Sequence, residues 1–277
     1  MGIKEKKRFL AIIKLGSTFP ELAARRGDFE DWVVKGLGPL SIPVQTINPI
    51  RGDPFPDVDS LAGLVLTGSA AMVTDRQDWS ERTAQWLLDL LPREIPLLGI
   101  CYGHQLLAHA LGYTVADNPR GPEEGTVPIH LTAAAAQDAL FAGLQNPFWA
   151  QVSHRQSVLQ LPEGAILLAR SDKEPIHAYR FGRCAWGVQF HPEFDADIQL
   201  AYIRRTANCL RDAGYDPDLL AQQVRPTPEA AGLLRQFGQL CLSYAADPCI
   251  IKGLHAPKPP LKLSDKPQPS QEIPDSL

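Results

Sequence analysis

Residues 97–105 read Leu97-Leu98-Gly99-Ile100-Cys101-Tyr102-Gly103-His104-Gln105. An apolar strand runs into Gly-x-Cys-x-Gly and passes at once into a helical pattern over 103–111, closed by Gly112. The flanking glycines permit a tight strand-to-helix turn that pushes the central side chain out above a sheet, the cysteine counterpart of a Gly-x-Ser-x-Gly nucleophile elbow. At the N-terminus of the following helix, unpaired amides and the helix dipole favour a thiolate over a thiol. The same geometry leaves the Tyr102 amide free to donate to an oxyanion. Taken alone, the segment serves equally well for a nucleophile and for a small buried cysteine at a strand end.

Outward from this turn, short apolar runs alternate with amphipathic segments. Strands are expected over 8–15, 43–47, Leu61–Leu66 and 96–100, and a helix over 28–37 with Phe29, Val33, Val34 and Leu37 on one face. Residues 78–91 carry the clearest helix, with Asp78 as its cap, Glu81 three residues on, and Trp79, Trp86, Leu87 and Leu90 on one side. Strands alternating with helices imply crossover connections and a mainly parallel sheet covered on both faces. After Gly112 the pattern changes to strand-like stretches over 126–131, 148–152, 165–169, 176–181 and 184–190, expected to form an antiparallel extension. A helix over 195–212, with Ile198, Ala201, Tyr202 and Cys209 on its apolar side, and another over 227–246 follow. Trp79, Trp86, Trp149 and Trp186 fall at core-like positions. Residues 252–277 hold six of the 25 prolines and read as a mobile tail.

Composition narrows the function. The 277 residues carry 27 basic and 31 acidic side chains, a formal net charge of −4, with 44% hydrophobic residues. That balance is globular and argues against a nucleic-acid or anionic-membrane surface. No apolar run reaches the ~18 residues of a membrane span. Lys14 interrupts the early apolar run 9–13, which reads as a strand rather than a signal peptide, and Lys6 stands where a myristoylation signal needs Ser or Thr. Five cysteines without a close-spaced framework are expected to be reduced thiols in a cytoplasmic protein.

A nucleophile needs a base, and the base an orienting partner. Residues 186–193, Trp186-Gly187-Val188-Gln189-Phe190-His191-Pro192-Glu193, supply both. An apolar strand delivers His191 at its end, and Glu193, two residues on in extended backbone, points the same way. The carboxylate can fix the imidazole's tautomer and stabilise the imidazolium that forms when His191 takes the thiol proton. By itself His-Pro-Glu reads as a polar loop; beside the elbow it reads as the rest of a triad.

Together the two segments resemble the class I (triad) glutamine amidotransferase domain, more narrowly the stand-alone, GMP-synthase-like members, over roughly residues 8–213. The resemblance implies a three-layer α/β/α sandwich, flavodoxin-like, with a mostly parallel sheet, an antiparallel extension and the site at the carboxyl ends of the strands. Residues 214–250 would then be a C-terminal helical extension and 251–277 a flexible tail. The resemblance further implies that Cys101 attacks the side-chain amide of glutamine, that His191 is base and then acid, and that Glu193 orients it. Its oxyanion donors would be the amide of Tyr102 and one from the turn Thr67-Gly68-Ser69. There the family's GMP synthases carry Gly-Gly-Pro, and the replacement of the second glycine by Ser69 weakens that donor assignment. Gln105 matches a position that helps hold the substrate, and Ser153-His154 the loop that meets its α-amino and α-carboxylate groups, although His154 also fits a structural loop histidine.

No cofactor or metal is expected. His104 and His109 lie five apart, and Cys101 with His104 lacks further ligands for a zinc site. His130 and His177 stand outside any motif and read as structural or exposed. Neither an ATP-pyrophosphatase phosphate loop, a Walker loop nor a dinucleotide fingerprint occurs. The leading expectation is therefore hydrolysis of L-glutamine through a γ-glutamyl thioester, with ammonia passed to a separate ATP-dependent synthetase subunit. The same triad also suits a hydrolase of γ-glutamyl peptides or conjugates without such a partner. A third reading is a catalytically silent binding or regulatory module.

Overall fold

The computed structural model describes residues 8–254. Strands β1 (Phe9–Ile13), β2 (Val44–Ile47), β3 (Leu61–Leu66), β4 (Leu97–Ile100) and β11 (Ala185–Val188) lie in the order β2-β1-β3-β4-β11, every neighbouring pair parallel. Every residue of β3 and β4 is buried. A strand covered on both faces has no solvent side for polar residues to occupy, hence its continuous apolar sequence. Close approaches show which helix covers which face. A Cβ on Gly63 would strike Cys241 of α8 (Pro228–Ala246), whereas one on Gly103 of α4 (Tyr102–Ala110) would strike Leu66. Positions 63 and 66 point to opposite sides of β3, so α8 and α4 belong to opposite layers. Helix α2 (Phe29–Leu37) packs with α8, and α3 (Asp78–Leu90) with α4. The result is the expected three-layer sandwich.

Beyond β11 the sheet continues antiparallel through β10 (Ala178–Phe181), β9 (Ala165–Arg170), β6 (Glu123–Leu131) and β7 (Phe148–His154), nine strands in all. Only His130 and Leu131 of β6 pair with β9, while Glu123–Ile129 pair with β7. This swing lets β7 reach back to the end of the parallel half, where Gln151 bridges to His191. A separate antiparallel pair, β5 (Val115–Asp117) and β8 (Gln156–Val158), flanks the same region.

Several local expectations need correction. The stretch at 184–190, expected in the antiparallel extension, forms β11, which pairs parallel with β4 and antiparallel only with β10. Asp78 does not cap α3; Gln77 occupies that position without a side-chain cap bond, and Asp78 lies inside the first turn with Glu81. Both carboxylates still favour the positive end of the helix dipole. Helix α2 is capped by Asp28 in a reciprocal box with Asp31 and buries Trp32, whereas Val34 faces solvent. The continuous helix expected over 195–212 is two helices, α5 (Ala196–Arg205) and α6 (Ala207–Asp212), separated at Thr206. The Thr206 hydroxyl donates to the Tyr202 carbonyl at 2.9 Å, a back-bond that bends helices. Cys209 consequently faces solvent rather than the core.

Two short helices, α1 (Pro20–Arg26) and α7 (Pro217–Gln223), escaped the sequence pattern. Trp79 and Trp186 are buried, while Trp86 stacks on Phe55 and Trp149 carries the Arg225 guanidinium 4.1 Å above its ring. Helix α8 belongs to the main core, to which it contributes Leu233, Leu234, Phe237 and Cys241. Most of the expected tail, from 255 on, lies outside the described residues. No helix among the described residues is long and apolar enough to cross a membrane.

Candidate active site

Cys101 sits where β4 turns into α4, at φ 49° and ψ −101°. A side chain there lies outside the ordinary helical and extended wells, a strain that surrounding structure must hold in place. Two glycines make the turn feasible by letting backbones touch. A Cβ on Gly99 would approach the Gly103 carbonyl oxygen to 2.5 Å, and one on Gly103 would approach the Leu66 carbonyl to 2.6 Å. The Cys101 amide donates to the Val188 carbonyl at 2.8 Å, and its own carbonyl accepts from the Gln105 amide at 3.1 Å. The Sγ lies 3.8 Å from the Ser153 carbonyl oxygen on β7.

His191 stands just past the end of β11, pinned by its amide to the Gln151 carbonyl at 2.9 Å. Its Nδ1 is 2.8 Å from Glu193 Oε1, and both side chains are buried. Burial opposes a charge on this ring, but Glu193 and the neighbouring Cys101 sulfur outweigh it and raise the pKa to about 10. The carboxylate thus does electrostatic work on the imidazole as well as positional work. Phe194 stacks on the ring with centroids 4.0 Å apart, and Phe29 lies nearly parallel to both. Neither aromatic was foreseen. Phe194 directly follows the His-Pro-Glu run, but Phe29 is remote in sequence and carries no signal.

The turn after β3 is rigidly specified. Thr67 donates its amide to the Ile13 carbonyl at 3.1 Å, accepts the Leu15 amide on its hydroxyl at 2.9 Å, and donates that hydroxyl to the Gly68 carbonyl at 3.0 Å. Gly68 lies over the imidazole; a Cβ there would come within 3.1 Å of His191 Cε1. Among the described residues the amides of Ser69 and Tyr102 donate to no protein acceptor, and both residues line the cavity that contains Cys101. The Ser69 hydroxyl instead accepts from the Ala71 amide at 3.1 Å. The Tyr102 phenol bonds Ser80 at 2.7 Å and burial pushes its pKa up to about 12, so this side chain stays neutral.

That cavity measures ≈ 710 Å³ and is also lined by His191, Gln105, Ser153 and His154. Glu193 lies behind His191 rather than on the wall. Gln105 Nε2 is already engaged by the Gln156 carbonyl and Gln189 Oε1, at 2.8 and 2.9 Å. Ser153 Oγ donates to Glu124 Oε2 at 2.8 Å. Both ring nitrogens of His154 are committed, Nδ1 to the Gln156 carbonyl at 3.0 Å and Nε2 to Glu123 Oε2 at 3.1 Å. His177 is fully buried and places its Nε2 3.1 Å from the same Glu123 oxygen. Burial works against a charge on Glu123, yet the two imidazoles hold its carboxyl well below the usual range. Glu123, His154 and His177 are the group among the described residues whose donor atoms lie close enough to share a metal ion. Their mutual hydrogen bonds account for the arrangement without one. His104, packed on Tyr179 and against Gly187, is driven by burial to a pKa of about 3 and is neutral.

Fold and elbow together define the class, an α/β protein that presents a cysteine at the carboxyl ends of its parallel strands. The sequence signature of the class-I glutamine amidotransferases matches residues 40–207. The chain is 31% identical over 249 residues to gamma-glutamyl peptidase 5 of Arabidopsis thaliana, covering 87% of this chain and 96% of the relative. It is 37% identical over 138 residues to a glutamine-hydrolyzing GMP synthase of Porphyromonas gingivalis, covering 50% of this chain but 26% of the synthase. A glutamine amidotransferase structure from Thermotoga maritima superposes with a TM-score of 0.67 at 22% identity, covering 85% of this chain and 98% of that one. The chain belongs to the class-I glutamine amidotransferase family.

Proposed function

We propose that the chain hydrolyses γ-glutamyl amide bonds through a thioester on Cys101. Cys101 first passes its thiol proton to His191, giving a thiolate beside an imidazolium that Glu193 holds, and the thiolate then attacks the γ-carbonyl carbon. The tetrahedral oxyanion accepts from the Ser69 and Tyr102 amides. Collapse expels the amine, protonated by His191, and leaves a γ-glutamyl thioester. Water, deprotonated by His191, then attacks the thioester and releases the γ-carboxylate and the thiol. The observation that carries this reading is that Cys101 and His191 line one cavity, with Glu193 bonded to the far side of the imidazole and holding it cationic beside the sulfur.

The leaving side of the scissile bond is read as bulkier than ammonia. A cavity of ≈ 710 Å³ falls in the range of about 300–1,000 Å³ that encloses drug-sized ligands, which is generous for free glutamine. Likeness along nearly the whole length of a γ-glutamyl peptidase supports the same choice. A glutaminase that hands ammonia to a separate synthetase is the second reading, supported by the match to GMP synthases; the chain spans about a quarter of the Porphyromonas synthase's length.

Comparing kcat/KM for glutamine and for γ-glutamyl dipeptides separates the two. A dipeptide preference of tenfold or more is expected, and a clear preference for glutamine would favour the ammonia-supplying role. Replacing Cys101 with Ala should lower either activity by about 10⁴-fold or more, and undiminished turnover would remove the mechanism.

A further inference from the structure

Glu124 is a buried charge that the mechanism above leaves unused. It opens β6 beside Glu123, is 8% exposed, and lines the cavity that holds Cys101. Glu123 turns to two imidazoles, but no Lys or Arg among the described residues forms an ion pair with Glu124. Among the described residues its oxygens accept only neutral donors, the Ser153 hydroxyl at 2.8 Å and the Gln199 amide of α5 at 2.5 Å. Arg155, a cation on the cavity wall, is tied to Asp117 at 2.7 Å and both are exposed.

Such a carboxylate is costly to bury unless something positive completes it. Burial is the largest influence on the Glu124 carboxyl and lifts its pKa to about 7, against the opposing pull of Ser153, Gln199 and His191. Position supplies the candidate partner. Ser153 touches the nucleophile through its carbonyl, 3.8 Å from Cys101 Sγ, and Glu124 through its hydroxyl, at 2.8 Å. A carboxylate one residue from the sulfur suits the far end of a γ-glutamyl arm, whose α-nitrogen is separated from the reacting carbonyl by two methylenes and the α-carbon.

We propose that Glu124 is the counter-charge for the substrate's α-ammonium group and the residue that restricts the site to γ-glutamyl compounds with a free amino terminus. The proposal rests on the γ-glutamyl reading above and adds a specificity determinant to it.

The test is binding to the full-length Cys101→Ala protein, which cannot turn the ligand over. L-glutamine, its α-N-acetyl derivative and the des-amino analogue glutaramate are titrated calorimetrically at pH 8. The same three ligands are titrated into a Cys101→Ala/Glu124→Gln protein. L-glutamine is expected to bind at least about tenfold more tightly than either uncharged analogue, and Glu124→Gln to abolish that preference. Equal binding of the three ligands by the Cys101→Ala protein, or no binding of any, overturns the proposal without recourse to the second variant. A preference that survives Glu124→Gln overturns it too. So does an equal weakening of all three ligands, which would make Glu124 a positioning residue acting through Ser153. If Glu124→Gln does not fold, Glu124→Asp must keep a preference for the ammonium, and its loss with the charge retained counts against the assignment. Hydrolysis by the native chain is measured separately. Ammonium-selective binding without hydrolysis sinks the catalytic reading alone, and hydrolysis without ammonium selectivity sinks the Glu124 assignment alone.

Discussion

His191 owes its raised pKa to a carboxylate 2.8 Å away and to the Cys101 sulfur, both acting against the cost of burial. Because the folded pKa of about 10 lies above the ordinary 6.5, the folded chain binds more protons than the unfolded one across that window. The stability this contributes is complete below about pH 6.5 and is lost as pH rises toward 10. Glu193→Gln should flatten that loss in thermal melts taken from pH 6 to 10. The same change should lower kcat by about 10²–10⁴-fold with KM little altered, since the amide no longer stabilises the imidazolium. A kcat within a few-fold of the parent would show that the carboxylate is structural. At this scale the sequence was most legible for Cys101, His191 and Glu193, the proposed nucleophile, base and orienting acid, because Gly-x-Cys-x-Gly and His-Pro-Glu are local. It was least legible for Glu124 and Phe29, which reach the site only through long-range folding.

At the scale of the element, the elbow depends on α4 pressing its first turn against β3 and β4. Gly103 has no room for a methyl group, with the Leu66 carbonyl oxygen 2.6 Å from where a Cβ would sit. Gly103→Ala should therefore cost about 1–3 kcal/mol in denaturant melts and displace the Tyr102 amide, reducing kcat more than stability alone explains. A neutral effect on both would show that the turn tolerates relaxation. Sequence periodicity located β1, β3 and β4 because they are buried almost throughout, but it assigned the parallel strand β11 to the antiparallel extension and overran the helix at 195–212. Thr206 breaks that helix through a side-chain bond that hydrophobic spacing does not register. The Asp78 cap failed for a related reason, since a capping residue must precede the first helical residue and Asp78 is itself helical.

Across the whole molecule, the site is assembled at the meeting of two sheet halves: the parallel half brings Cys101 and His191, and the antiparallel extension swings β7 and Glu124 alongside them. Helix α8 is part of the same core, with Leu233, Leu234 and Phe237 essentially inaccessible. Each such side chain contributes about 1.5–3 kcal/mol, a large share of the 5–15 kcal/mol that typically stabilises a domain. A chain ending at 227 should lack a cooperative thermal transition, whereas a folded and active truncation would show that α8 is an accessory. The order of the main strands and helices was readable from sequence, α1, α7 and the β5–β8 pair apart; the return of β7 to His191 was not, because it rests on β6 dividing its pairing between β7 and β9. The most direct test of the central claim is mass spectrometry of the native protein after brief exposure to a glutamine-analogue electrophile. One adduct, confined to Cys101 and absent from the Cys101→Ala protein, is the predicted result. An unlabelled Cys101, or equal labelling of the exposed Cys209 and Cys249, would contradict it.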